Sequence, residues 1–202
     1  MARRLVFLPG VSGSGDFWAP VAERLAEQIE ALVPTFVDWP GLGDVPARAG
    51  VDSWAGLSEV VIDAMSGPSV LIAQSMGGVV AVDVALRVPA SVEALVLCAT
   101  SGGIDVASFG ARDWRDEVRA SIPTTPAWVY EPVADRSAAI EHLGLPVLLI
   151  WASRDATSPV GIGEALQARF PDARLLVIDS DDHWVARAQA PIVAEAIAAF
   201  LT

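Results

Sequence analysis

Six short apolar runs, rich in β-branched residues, recur along the chain and alternate with stretches of helical spacing. The runs cover residues 5–8, 33–37, 69–73, 94–99, 147–151 and 175–178. Because most of them are continuously hydrophobic rather than alternating, both faces of the strands that they predict should be covered. This pattern favours an α/β fold with a mainly parallel, roughly six-stranded sheet and helices on both faces.

Helices are predicted between most of these runs. They cover residues 16–31, 52–65, 75–87, 159–170 and 184–201, and several open with Asp, Ser or Pro. Residues 101–145 break the rhythm and are too many for a structureless loop within a compact domain. We therefore expect a single domain over residues 1–202 with a small lid at about 101–145. Two short helices, near 109–120 and 133–142, would flank a proline-bound loop in that lid.

Charge and composition exclude several classes of function. The net charge of -12 makes nucleic acid and anionic membrane surfaces poor partners. All 13 basic residues are arginine, which excludes Walker-type lysines, Schiff bases and Ser-Lys catalysis. No apolar stretch approaches the ~18 residues of a membrane span. We expect no span, while the oligomeric state is not encoded in any pattern that we can identify.

The chain should also be cytoplasmic and free of metal and cofactor. Pro9 and Gly10 interrupt the first apolar run before a signal-peptide core could form. The single cysteine, Cys98, lies inside a predicted strand and is interpreted as a buried small hydrophobe. Two distant histidines and one cysteine disfavour a metal site. The glycines of residues 10–15 do not have dinucleotide-binding spacing.

Ser75 lies in the segment LIAQSMGGVV, residues 71–80, where a predicted strand turns into a predicted helix. A sharp turn of this kind requires small residues two before and two after the serine, and these positions hold Ala73 and Gly77. The turn would lift the hydroxyl clear of the sheet at a helix N-terminus, where free N–H groups can stabilise negative charge. Ser75 is therefore a candidate nucleophile, although a serine there can also be only a helix cap.

A base and an acid for this serine can be proposed from position along the chain. His183 follows the last predicted strand, whereas His142 ends a predicted lid helix and is expected on the surface. Asp155 follows the strand at 147–151 and would orient the imidazole, with Asp105 after the preceding strand as the alternative acid. Parallel strands bring their carboxyl ends to one edge of the sheet, so these side chains should converge there.

Several segments in this order resemble those of the α/β-hydrolase superfamily. LPGVSGSGDFW is similar to the oxyanion loop, DWPGLGD to the DxPGxGxS segment, AQSMGG to the nucleophile elbow with its helix, and DHWVARAQAP to the histidine segment. The chain departs from the superfamily at Pro9-Gly10, where His-Gly is common, and at Ala73, where glycine is usual. The resemblance covers nearly the whole chain outside the lid and implies a minimal α/β-hydrolase fold.

The resemblance further implies a serine hydrolase with a Ser75, Asp155 and His183 triad and an oxyanion hole formed by the amides of Val11 and Met76. The expected substrate is a small or medium, largely apolar ester or thioester, cleaved through an acyl-enzyme without a cofactor. Four tryptophans are candidates for lining an apolar acyl pocket, namely Trp18, Trp114, Trp128 and Trp184. The alternative is a catalytically idle relative that binds a small ligand or a protein partner.

Overall fold

A six-stranded sheet, entirely parallel, forms the centre of the molecule in a computed structural model that describes residues 3–202. The strands are β1 (Arg3–Leu8), β2 (Leu32–Phe36), β3 (Ser69–Gln74), β4 (Val92–Cys98), β5 (Val147–Ala152) and β6 (Ala173–Ile178). They lie in the order β2-β1-β3-β4-β5-β6, and each pair of neighbours is parallel. The predicted fold class is confirmed.

Eight α-helices accompany the sheet within the described residues. They are α1 (Ala19–Gln28), α2 (Trp54–Ala64), α3 (Met76–Arg87), α4 (Arg115–Ser121), α5 (Ser137–Ile140), α6 (Val160–Arg169), α7 (Val185–Ala188) and α8 (Ala190–Leu201). The single helix predicted for residues 184–201 is interrupted at Gln189, because Pro191 has no N–H to continue the helical hydrogen bonds and instead lies in the first turn of a new helix, α8. The one predicted for residues 16–31 begins as a 3-10 turn, Gly15–Trp18, before α1.

Each strand of the sheet's centre contributes to two apolar layers. In β1, Leu5 and Phe7 pack on one side with residues of α1 and α8, while Val6 and Leu8 pack on the other with residues of α2 and α3. All residues of β3 and β5 are buried. This double coverage explains why the strands are continuously hydrophobic, and each fully buried Leu or Val contributes about 1.5–3 kcal/mol.

The outer strands β2 and β6 are less covered than their sequences predict. Val33 and Phe36 of β2 are each 42% exposed, and Val177 of β6 is 44% exposed. Each of these strands has a neighbour on one side only. Position at the edge of the sheet, which hydrophobicity alone does not encode, explains this difference.

Residues 101–145, called here the insert, connect β4 to β5 through short helical turns. It contains α4 and α5 and the 3-10 turns Ala107–Phe109 and Ala127–Tyr130. The helices are shorter than predicted, since α4 starts only at Arg115 and α5 has four residues. Ile140 of α5 is fully buried in the core, so the C-terminal end of the insert packs onto the sheet and its helices.

Candidate active site

Ser75 occupies a sharp turn between β3 and α3. Its backbone has φ 52° and ψ -119°, a combination that non-glycine residues rarely adopt. The Ser75 amide donates to the Cys98 carbonyl oxygen at 2.9 Å, and the Gly78 amide donates to the Ser75 carbonyl oxygen at 3.0 Å. A strained residue held in this way costs about 1–3 kcal/mol and is typical of functional sites. The turn directs the side chain toward a cavity that Ser75 helps to line.

Two glycines follow the turn because other backbone and side-chain atoms approach it closely. A β-carbon on Gly77 would lie 2.5 Å from the Pro9 carbonyl oxygen and 2.8 Å from that of Leu8. On Gly78 it would lie 2.5 Å from the Thr100 side chain. The requirement for a small residue at 77 follows from the motif, but the requirement at 78 depends on a contact with β4's C-terminal extension that the sequence does not reveal.

The His183 imidazole lies between the side chains of Ser75 and Asp155. Its Nε2 is 3.1 Å from Ser75 Oγ, and its Nδ1 is 2.7 Å from Asp155 Oδ2. The His183 side chain is 23% exposed, while that of Asp155 is 1% exposed. With the proton of the neutral ring on Nδ1, Nε2 is free to accept the serine proton, as a general base must.

Asp155 is held by the loop that follows β5. Its Oδ1 accepts from the amides of Thr157 at 2.7 Å and Ser158 at 3.0 Å, which leaves Oδ2 for His183. The alternative acid, Asp105, is exposed and accepts from the Ala107 amide at 3.0 Å. The structure therefore brings Asp155, rather than Asp105, to the imidazole.

Val11 and Met76, whose amides the resemblance assigns to an oxyanion hole, both line the cavity beside Ser75. Met76 is the first residue of α3, so its amide N–H has no acceptor within the helix. Across residues 3–202 neither amide has a hydrogen-bond acceptor. A turn closed by Gly13 N to Gly10 O at 3.2 Å shapes the loop. The two donors are thus available to a ligand.

Two indole N–H groups hold the end of β1 and the start of the loop that follows it. Trp18 Nε1 donates to the Leu8 carbonyl oxygen at 2.9 Å, and Trp39 Nε1 donates to that of Pro9 at 3.0 Å. Both indoles are fully buried. The interpretation of Trp18 as a substrate-pocket residue is corrected here, because its ring packs in the core against Phe17 and Phe7 and does not reach the cavity.

A cavity of about 980 Å³ opens above Ser75, beneath the insert. Trp114 and Trp184 line it, and Trp184 is 57% exposed at its edge. The prediction that Trp128 lines the pocket is corrected, because Trp128 does not line this cavity and instead packs edge-on against Trp54 with ring centroids 6.2 Å apart. Further apolar residues complete the lining, among them Val79, Ile104, Val106, Val118, Val129 and Ile162.

Sequence reasoning missed Trp54, the first residue of α2, which lines the cavity. Its Nε1 is buried and has no hydrogen-bond partner within residues 3–202. No local pattern signals this role, because Trp54 looks like any apolar residue after the helix-capping Ser53. At the cavity wall it packs edge-on against Trp128 of the insert.

Ionised groups surround the apolar part of the cavity. The acidic ones are Asp105, Asp113, Glu117, Glu131, Asp135 and Asp182, against Arg112 and Arg115. Hydrogen bonds from the Arg115 amide and guanidinium hold the pKa of Asp113 below its usual value. The hydroxyl and amide of Ser137 do the same for the pKa of Asp135. With six carboxyl groups against two guanidinium groups, the surroundings of the cavity are net acidic.

The other titratable candidates lie away from this chemistry. Burial raises the pKa of the Cys98 thiol, which is fully enclosed in β4 as the sequence predicts. His142 is exposed and its Nδ1 lies 2.9 Å from the Ala138 carbonyl oxygen. In the described part of the chain no group of three or more His, Cys, Asp or Glu side chains is arranged to hold a metal ion. None of its helices is both long and apolar enough to cross a membrane.

The chain is similar to known proteins in overall sequence and in fold. A pimeloyl-(acyl-carrier protein) methyl ester esterase of Nitrosomonas europaea is 25% identical over 89% of this chain and 88% of its own length. A thermophilic esterase of Thermogutta terrifontis superposes with a TM-score of 0.82 at 20% identity, covering 100% of this chain and 90% of that one. A meta-cleavage product hydrolase of Pseudomonas fluorescens superposes with a TM-score of 0.79 at 17% identity, covering 99% and 90%.

Family-level matches cover both halves of the chain. Residues 114–202 match the TAP-like protein group, and residues 5–135 match the group described as the alpha/beta hydrolase family. The second match alone spans well over half of the chain and includes the turn at Ser75. The solved structures above add the same fold over nearly the full length. The chain belongs to the alpha/beta hydrolase family.

Proposed function

We propose that the protein is a serine hydrolase that cleaves a small or medium, largely apolar ester or thioester through an acyl-enzyme intermediate. One observation carries the proposal: the hydrogen-bonded series from Ser75 Oγ through His183 to a buried Asp155 opens onto a large cavity. Nucleophile, base and orienting acid within hydrogen-bond reach are the signature of an activated serine.

The reaction follows from these positions in two halves. Ser75 Oγ attacks the substrate carbonyl carbon while His183 Nε2 takes the hydroxyl proton, and Asp155 stabilises the imidazolium. The amides of Val11 and Met76 hold the resulting oxyanion. The imidazolium then gives its proton to the leaving alcohol or thiol. Water, activated by the same imidazole, attacks the acyl group and releases the acid, which restores Ser75 without a cofactor.

The lining of the cavity supports an apolar acyl group. Trp114, Trp184 and the aliphatic residues around them offer surface for an alkyl or aryl chain. Relatives named as methyl ester esterases support ester chemistry. The proposal includes a single domain over residues 1–202 in which the insert acts as a small lid over the substrate. It also includes a cytoplasmic setting, which suits the thiol enclosed in β4.

The test combines covalent labelling with turnover. Ser75→Ala should leave the fold intact while abolishing labelling by a fluorophosphonate probe and hydrolysis of an ester and thioester panel of graded acyl length. Ser12→Ala is a matched control, because Ser12 is a second hydroxyl on the cavity wall that takes no part in the proposed reaction. Equal labelling of Ser75→Ala would refute the assignment, and ligand-induced thermal shifts without any turnover would favour a binding protein instead.

A further inference from the structure

Gln74 is the last residue of β3 and directly precedes Ser75. It is only 2% exposed, and it lines the same cavity. A buried primary amide carries two donors and an acceptor that must be accommodated. The proposed reaction uses residues that lie close to Gln74 but assigns no role to Gln74 itself.

The Gln74 side chain lies between the two loops that supply the rest of the site. Its Nε2 donates to the backbone carbonyl oxygen of His183 at 3.3 Å. Its Oε1 fills the space beside Gly10, where a β-carbon would lie 2.4 Å from that oxygen. One side chain therefore contacts the histidine loop after β6 and the loop after β1.

The side chains next to His183 in the histidine loop contribute little packing around it. Asp181, Asp182 and Trp184, the neighbours of His183 along the chain, are all exposed. Two hydrogen bonds fix the imidazole ring, at Nδ1 and Nε2. The hydrogen bond from Gln74 holds the backbone of the same residue and so limits where the ring can lie.

We propose that Gln74 is a positioning residue that acts through His183 and the loop at Gly10. It keeps the imidazole within reach of Ser75 Oγ and packs its amide against the loop whose Val11 amide is assigned to the oxyanion. This inference rests on the proposed function for its kinetic consequence. Its structural consequence, a less restrained His183, does not depend on turnover.

Gln74→Met tests the role because methionine has a similar length and no donor. Loss of one hydrogen bond that matters for the reacting geometry should lower kcat about 10-fold. KM for the best ester should change by less than about 2-fold, since substrate contacts are retained. Ser69→Ala is the control: Ser69 is fully buried at the other end of β3, and its hydroxyl donates to the Gly67 carbonyl oxygen at 2.8 Å. It should cost stability without changing kcat.

A second readout needs no substrate. In the wild type the Nδ1 proton of His183, shared with Asp155, should give a slowly exchanging downfield NMR signal. Gln74→Met should broaden or abolish that signal, whereas Ser69→Ala should keep it. An unchanged signal and unchanged kcat in Gln74→Met would overturn the proposal. If the wild type gives the signal and Gln74→Met does not, but the wild type hydrolyses no ester, the result counts against the proposed function. It still supports the role of Gln74.

Gly10→Ala supplies an independent check through a double-mutant cycle. The new methyl group would displace the Gln74 amide, because Oε1 is the nearest atom and the next contacts are at 3.5 Å or more. Gly10→Ala should therefore weaken the His183 signal as Gln74→Met does, and the double variant should show little further loss. Fully additive losses would mean that Gly10 and Gln74 act separately, and would overturn the coupling between the two loops.

Discussion

A β-carbon has no room at Gly77, and the atoms that exclude it belong to the backbone. The Pro9 and Leu8 carbonyl oxygens that it would meet are themselves held by the indole N–H groups of Trp39 and Trp18. Close packing of backbone against backbone is therefore needed to bring α3 down onto β1. The two buried tryptophans stabilise the site by holding the chain that it rests on.

Gly77→Ala should destabilise the protein by about 1–3 kcal/mol, because overpacking here must shift backbone rather than a flexible side chain. The measurement is urea unfolding, with labelling of Ser75 as a parallel readout of the turn. Gly144→Ala is the matched control, since a β-carbon there would meet nothing within 4 Å, and its effect should stay within about 0.5 kcal/mol. Equal stability of the two variants would contradict the close approach at Gly77.

Among the elements, the insert is joined to the helix that begins after Ser75. Arg136 donates to Asp83 Oδ1 at 2.7 Å and to the Val79 carbonyl oxygen at 3.1 Å, both in α3. The side chains of Arg136 and Asp83 are 15% and 22% exposed. Ser58 Oγ also donates to Asp83, at 2.6 Å. A partly buried, multiply hydrogen-bonded pair contributes more than an ordinary surface ion pair.

Arg136→Met should loosen the insert and leave the sheet domain folded. Chymotrypsin, which cuts after aromatic residues such as Trp114 and Trp128, should cleave the insert on the order of tenfold faster. KM for apolar esters should rise as the cavity wall becomes mobile. Arg119→Met is the control, because Arg119 pairs with Asp116 on the exposed side of the same insert. A cleavage rate equal in both variants would show that Arg136 does not hold the insert.

A second junction of elements links the loop carrying Asp155 to the loop carrying His183. The Arg154 guanidinium, through a hydrogen bond and its charge, holds the pKa of Asp179 below its usual range. The Arg154 amide also donates to the Ser180 carbonyl oxygen at 2.9 Å. Because the folded state lowers this pKa, the pair stabilises the fold above the pKa of the unfolded chain. That stabilisation is lost as the pH falls through the lowered pKa.

Asp179→Asn should therefore unfold at slightly lower urea than the wild type at pH 7, and the difference should vanish in acid. The effect is small because both side chains are largely exposed. Glu23→Gln, an exposed position on α1, controls for the loss of one negative charge from an acidic protein. A difference between Asp179→Asn and wild type that persists unchanged into acid would exclude the ion pair as its source.

At the scale of the whole molecule, the charge of -12 and the carboxylates around the cavity both repel anions. Their field lowers the local concentration of anions and favours neutral or cationic substrates. For the proposed hydrolase we therefore expect a preference for an acyl chain without a terminal carboxylate. Exposed charges are screened by salt, with a Debye length of about 10 Å at 0.1 M.

Matched esters test this effect. The dimethyl ester of a dicarboxylic acid should be hydrolysed faster than its monomethyl half-ester, which carries one negative charge at neutral pH. The kcat/KM ratio between them should fall as sodium chloride is raised, because salt weakens the repulsion of the half-ester. A ratio that favours the half-ester at low salt would contradict an electrostatic preference for neutral acyl groups.

Local sequence was sufficient for the sheet, most helices and the residues that meet at its edge. Continuous apolar runs require coverage on both faces, and parallel strands end on the same side, so Ser75, His183 and an acid, Asp155 or Asp105, could be assigned to one edge before any coordinates. Pro191 also encodes the break at Gln189, which our prediction of one long helix over residues 184–201 overlooked.

Tertiary structure alone decided which side chains face the cavity. Hydrophobicity could not separate Trp18, which packs beneath the loop after β1, from Trp54, which lines the cavity and packs against the distant Trp128. It could not separate Asp155 from Asp105 either, because both follow strands. A side chain's periodicity records that it is buried, whereas the space it faces depends on atoms brought together from remote parts of the chain.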